Sequence, residues 1–114
     1  MNSTERRHLQ RAINISREST CDPKHGVVIA QGPRVLAVAV NTKRNNPNIV
    51  SNPRADAHRH AEWNAFKQLE GVDLSKATLY SARTSRTGKV GMAKPCEMCS
   101  ALIELCGVKK VIHT

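Results

Sequence analysis

The sequence predicts an α/β fold of three layers, with helices on both faces of a mostly parallel four-stranded sheet. Two observations point there. The patterns run helix, β-hairpin, helix, strand, helix, strand, and two strand–helix–strand crossovers imply a mainly parallel sheet with an antiparallel edge strand. Apolar residues make up 39% of the 114 residues and fall into short runs. That is the habit of a globular chain, and none of the runs approaches the length that spans a bilayer.

Residues 4–18 carry a helical pattern, with Thr4 as N-cap and Leu9, Ala12, Ile13 and Ser16 on one face. Thr20 to Gly26 breaks it with Asp22-Pro23 and Gly26. Val27–Ala30 and Val35–Val40 are apolar runs joined by Gln31-Gly32-Pro33-Arg34, which predicts a β-hairpin. Asn41 to Ala57 is a polar segment rich in Asn, Pro and Arg, long enough to suggest a functional loop. Residues 58–70 predict a second helix with Ala61, Ala65, Phe66 and Leu69 inward and Gly71 at its end. Ala77–Ala82 is the third strand, and Arg83–Lys94 a basic loop with a turn at Thr87-Gly88. Residues 96–106 predict a third helix, Pro95 opening it, Met98, Ala101, Leu102 and Leu105 inward, Gly107 after it. Val108–His113 is the last strand. No repeat or linker divides the chain, and its length suits one domain over 1–114.

Net charge is +9, spread along the chain. It points to a polyanionic partner, phosphorylated nucleotides or nucleic acid, or else to a basic surface that serves solubility. One Trp, one Tyr and one Phe are few for a protein that stacks the bases of a single strand. The N-terminus has no apolar signal core, which argues against secretion. The four cysteines, two of them in C-x-x-C, suit a reducing compartment and a metal pair better than a disulfide framework. A cytoplasmic protein is expected.

The chemistry concentrates in His60-Ala61-Glu62 and Pro95-Cys96-Glu97-Met98-Cys99. One imidazole and two thiolates can hold a zinc ion, and three protein ligands leave a coordination position open for water. The spacing of Cys96 and Cys99 turns both sulfurs to one side of a helix start, where the dipole favours thiolate. His60 opens the preceding helix, and two helix N-termini meeting at a sheet edge make a pocket. Either motif alone has other uses. C-x-x-C also occurs in redox proteins and in structural zinc sites, and a structural site would recruit a fourth ligand from His58, His25, His113, Cys21 or Cys106. A thioredoxin-like redox motif would lie after a first strand near the N-terminus, unlike this one.

The two motifs together, H-x-E and then P-C-x-x-C with a strand between, are the known signature of zinc-dependent base deaminases. From about Ser19 onward the chain resembles the cytidine/deoxycytidylate deaminase superfamily, and its last helix and strand, Cys96 to Ile112, resemble the deoxycytidylate branch. The resemblance implies the three-layer deaminase fold in a minimal version. The family's usual fifth strand and further helix are missing, so the last strand is expected to be an open edge or covered by a partner subunit. It implies a Zn2+ cofactor on His60, Cys96 and Cys99. Glu62 becomes the catalytic proton shuttle between water, ring nitrogen and departing ammonia. Asn41 would bond the sugar, unless it only caps a turn, and the backbone near Ala61 would touch the base. Arg86, Lys89 and Lys94 sit in a loop that the family usually lacks. They either clasp a phosphate or form a solvated surface. Trp63 and Phe66 suit core packing.

The expected activity is therefore hydrolytic deamination of cytosine in a free nucleotide or nucleoside, by a homo-oligomer without membrane contact. The alternatives are an editor of cytosine or adenine in single-stranded nucleic acid, favoured by the charge, and a non-catalytic zinc module, which would have no use for Glu62.

Overall fold

A computed structural model describes residues 1–19, 24–41, 61–95 and 97–114. The elements are α1 (Ser3–Ser16), β1 (Lys24–Gln31), β2 (Arg34–Val40), α2 (Ala61–Gln68), β3 (Thr78–Thr84), β4 (Val90–Gly91), α3 (Glu97–Cys106) and β5 (Lys110–His113). The long polar segment after Asn41 lies outside the described residues, as do His58, His60, Cys21 and Cys96.

The three layers are as expected, but the sheet is not mostly parallel. Its path is β2-β1-β3-β4, with β5 also on β3. Antiparallel pairing joins β1 to β2, β1 to β3 and β3 to β4, and only β3 and β5 run parallel. The reason is topological. After the hairpin, the crossover through α2 passes over β1 and lays β3 on its far side. The reversed strand thus sits in the middle of the sheet instead of at its edge. There are five strands instead of four, because the basic segment after β3 folds back as a short hairpin. Arg83 pairs with Gly91 and Thr84 with Val90, and Gly88 turns the chain at φ 86°. On its other side β5 has no partner strand among the described residues.

Alternation along β1 and β3 divides the core. Val28, Ala30, Tyr80 and Ala82 face α1, where Ala12 packs on them. Val27, Ile29 and Leu79 face the other way, into a larger cluster with Ala61, Ala65, Phe66, Leu69 and Ile103 from α2 and α3. Asn2, not Thr4, caps α1: its side chain accepts from the Glu5 amide and Glu5 reaches back to the Asn2 amide. Gly26 belongs to β1 and not to a turn. A Cβ there would stand 2.5 Å from the Ala12 carbonyl oxygen and 2.6 Å from the Ser16 nitrogen, so only glycine lets α1 lie this close. The open edge of β2 is tied to α2, whose Asn64 and Gln68 amides donate to the Val40 and Val38 carbonyls.

In α3 the inward face differs from the sequence pattern. Cys99 and Ile103 are buried, Leu102 and Cys106 are partly so, and Ala101 and Leu105 are exposed, Leu105 at 85%. The stripe is shifted by one residue, and the shift is what turns Cys99 toward α2. None of the helices among the described residues is long and apolar enough to cross a membrane.

Candidate active site

Glu62 and Cys99 come together in the interior. Glu62 lies in the first turn of α2 and Cys99 in the first turn of α3, at 1% and 2% exposure. The Cys99 thiol donates to Glu62 Oε2 at 3.4 Å. A buried carboxylate is costly unless it is paired or hydrogen-bonded, and Oε1 accepts no hydrogen bond from the described residues. Such a group is kept where chemistry needs it.

The path into α3 is anchored beside this pair. Ser81 Oγ donates to the Ala93 carbonyl at 3.0 Å, and the Ala93 amide donates to the Thr114 carbonyl at 3.0 Å. Those bonds hold the segment before Pro95 against β3 and β5, so α3 begins over the C-terminal part of β3.

The sequence offered His25 only as a fourth ligand of a structural zinc site, not as a neighbour of Glu62. His25 lies on β1 with the parity of Val27 and Ile29, and therefore faces α2. Its Nε2 is 2.6 Å from Ser81 Oγ and 3.2 Å from Glu62 Oε1. Extending β1 back through Lys24 would have revealed that parity, but Gly26 disguised the strand as a turn.

Asn41 is joined to the same corner. Its Oδ1 accepts from the His25 amide at 3.0 Å and from the Ser19 hydroxyl, and its own amide donates to the His25 carbonyl at 3.1 Å. It closes the base of the β1–β2 hairpin. Ala61 is fully buried at the first position of α2. Arg86 and Lys89 are exposed on the β3–β4 hairpin. Among the alternative ligands, Cys106 lies at the far end of α3, where burial pushes its thiol up, and it lines an apolar groove with Trp63 and Leu102. His113 is exposed on β5. Trp63 is half-buried in that groove and takes no place in the main core, whereas Phe66 does.

The donor chemistry fits zinc. A buried thiol at a helix start is a soft ligand, and a carboxylate stands beside it. His60 and Cys96, the other two nominated ligands, directly precede the first residues of α2 and α3 in the chain.

The cytidine and deoxycytidylate deaminase zinc-binding region matches residues 2–114. The chain belongs to that family. It is a hydrolytic deaminase of the zinc-dependent kind, and its cofactor is Zn2+. Among solved structures it is similar to the dCMP deaminase of cyanophage S-TIM5, with 25% identity, 99% of this chain and 84% of that chain covered, and a TM-score of 0.69. That phage protein has also been solved in complex with dCMP and dUMP. The fold is shared with guanine deaminase from Bacillus subtilis, at 23% identity and TM-score 0.67, covering all of this chain and 64% of the other. It is shared too with a diaminohydroxyphosphoribosylaminopyrimidine deaminase/reductase from Thermotoga maritima, at 21% identity and TM-score 0.62, over 96% of this chain and 29% of that one. No curated protein matches the chain.

Proposed function

We propose that residues 1–114 form one zinc-dependent deaminase domain that converts cytosine to uracil in a free nucleotide or nucleoside and releases ammonia. The supporting observation is the buried Glu62 carboxylate beside the Cys99 thiol, where α2 and α3 begin. His60, Cys96 and Cys99 would hold the ion, which supplies an activated water at neutral pH when bound. The work of the chain's own residues is to position and to move protons. Glu62 takes the proton that water loses as it adds to the amino-bearing ring carbon, and passes it to the ring nitrogen. It then helps deliver a proton to the amino group, which leaves as ammonia. Burial strengthens these transfers, because no bulk water competes for the carboxylate.

Around the base, the Ala61 backbone at the start of α2 forms the pocket floor. Asn41 contacts the sugar through its side-chain amide, which both donates and accepts. Arg86 and Lys89 on the basic hairpin meet the phosphate of a nucleotide. Similarity to a dCMP deaminase solved with dCMP and dUMP supports a nucleotide substrate. We further propose that the enzyme is a cytoplasmic homo-oligomer. Editing of cytosine or adenine in a single strand is the second reading, and the net charge of +9 favours it.

Ammonia release from dCMP, cytidine and a cytosine-containing oligonucleotide decides between the two. Turnover of dCMP above the others is expected; preference for the oligonucleotide with steep salt dependence selects the second reading. Glu62→Gln should keep zinc and lose about 10²- to 10⁴-fold in kcat, the usual weight of a general acid–base. Native turnover in that variant would remove Glu62 from the mechanism.

A further inference from the structure

We propose that His25 is a positioning residue for Glu62: its ring Nε2–H, bonded to Ser81, stands against Glu62 Oε1 and orients the carboxylate as a neighbouring dipole, without a hydrogen bond to it. Proton accounting at Ser81 identifies the tautomer. The Ser81 hydroxyl has one hydrogen and donates it to the Ala93 carbonyl, which can only accept. Ser81 Oγ therefore accepts from His25 at 2.6 Å, and Nε2 carries the proton. The same nitrogen lies 3.2 Å from Glu62 Oε1, with His25 6% exposed and Glu62 1% exposed. At that depth a donor dipole beside a carboxylate counts for more than it would in water.

Glu62 is thus flanked by Cys99 at Oε2 and by His25 at Oε1. The two flanks are not equivalent. A thiol can donate, but a metal-bound thiolate has no hydrogen to give. Loading the ion removes the Cys99 donor, and the His25 Nε2–H is the flank that persists. Its place is well anchored. Asn41 Oδ1 grips the His25 backbone, and Ser81, diagonal to it across the β1–β3 ladder, fixes the ring. This inference rests on the reading of Glu62 and Cys99 given above.

The test has one arm without metal and one with it. In the metal-free protein, the NMR resonance of the His25 ring Nε2–H should move on Glu62→Gln, because an amide replaces the carboxylate beside it; an unmoved resonance overturns the contact. In the zinc-loaded enzyme, His25→Leu should retain zinc and lose about 10- to 100-fold in kcat at unchanged KM, the usual cost of removing a group that orients a metal-site residue. His25→Gln, whose amide nitrogen can replace the lost donor, should recover most of that loss. Native kcat in His25→Leu overturns the proposal, and so does an equal loss in both variants, which is what a pure packing role gives. Should His25→Leu not fold, His25→Gln decides alone: kcat within about tenfold of native supports the role and a loss beyond about a hundredfold ends it. Failure of the parent reading is visible separately, as native turnover in Glu62→Gln, and leaves the metal-free resonance shift intact.

Discussion

The two faces of the sheet are built to different ends. Under α1 the chain is fitted for closeness. Gly26 lets the helix backbone descend onto β1, and the Thr84 hydroxyl donates to Ser16 Oγ at 3.0 Å, which in turn donates to the Ile13 carbonyl. His8 Nε2–H, 2.8 Å from the Gly32 carbonyl, ties the helix to the hairpin turn. Every buried group in that set of contacts serves packing. Under α2 and α3 the same sheet carries the larger apolar cluster, yet it admits a carboxylate, an imidazole and a thiol to its interior. One face buries polar groups that tie helix to sheet; the other buries a carboxylate where two helices begin. Substitutions on the first face should therefore alter stability and spare zinc binding, while Glu62→Gln and the His25 variants on the second should alter turnover and spare the fold.

The sharpest way to break this division is Gly26→Ala. The added methyl meets helix backbone that cannot move aside cheaply, so a loss of about 1–3 kcal/mol or more is expected in urea unfolding. Gly91→Ala, where a Cβ meets nothing within 4 Å, is the matched control and should change stability by less than about 0.5 kcal/mol. Equal effects from both would refute the close-approach account. A smaller effect is expected from Asn2→Ala, which removes the α1 cap and should cost about 1 kcal/mol by the same measurement.

Acid should act on the α1 face in a definite direction. The Asn2 amide and then Lys110 hold the Glu5 carboxyl below its ordinary value of 4.5. A depressed folded value means that the contribution is complete above about 4.5 and fades as pH falls through the folded value. The Lys110→Met variant should show a weaker dependence of thermal midpoint on pH in that range, and an unchanged dependence would remove Lys110 as a cause. The effect is small because the pair is exposed.

Much of the molecule was legible in the residues. Helices announced themselves by period and by Gly71 and Gly107, the hairpin by Gly32-Pro33, and the active-site motifs by residue type and spacing, all of them short-range properties. What failed was what depends on distant partners. Val27–Ala30 reads as a strand, but nothing in it says that β3 will lie antiparallel beside it. The α3 stripe of Met98, Ala101, Leu102 and Leu105 was a sound helical pattern, and one residue of rotation about the axis separates it from the face that Cys99 and Ile103 bury.

By itself, then, the sequence determined the candidate ligand residues, the three helices, four of the five strands and the family, because each is written in neighbours a few positions apart. Tertiary structure alone decided that β1 runs through the middle of the sheet, that Gly26 is a contact point and not a turn, and that His25 stands beside Glu62. Each of those joins residues far apart in the chain, and such contacts form only when the two faces of the sheet are covered together.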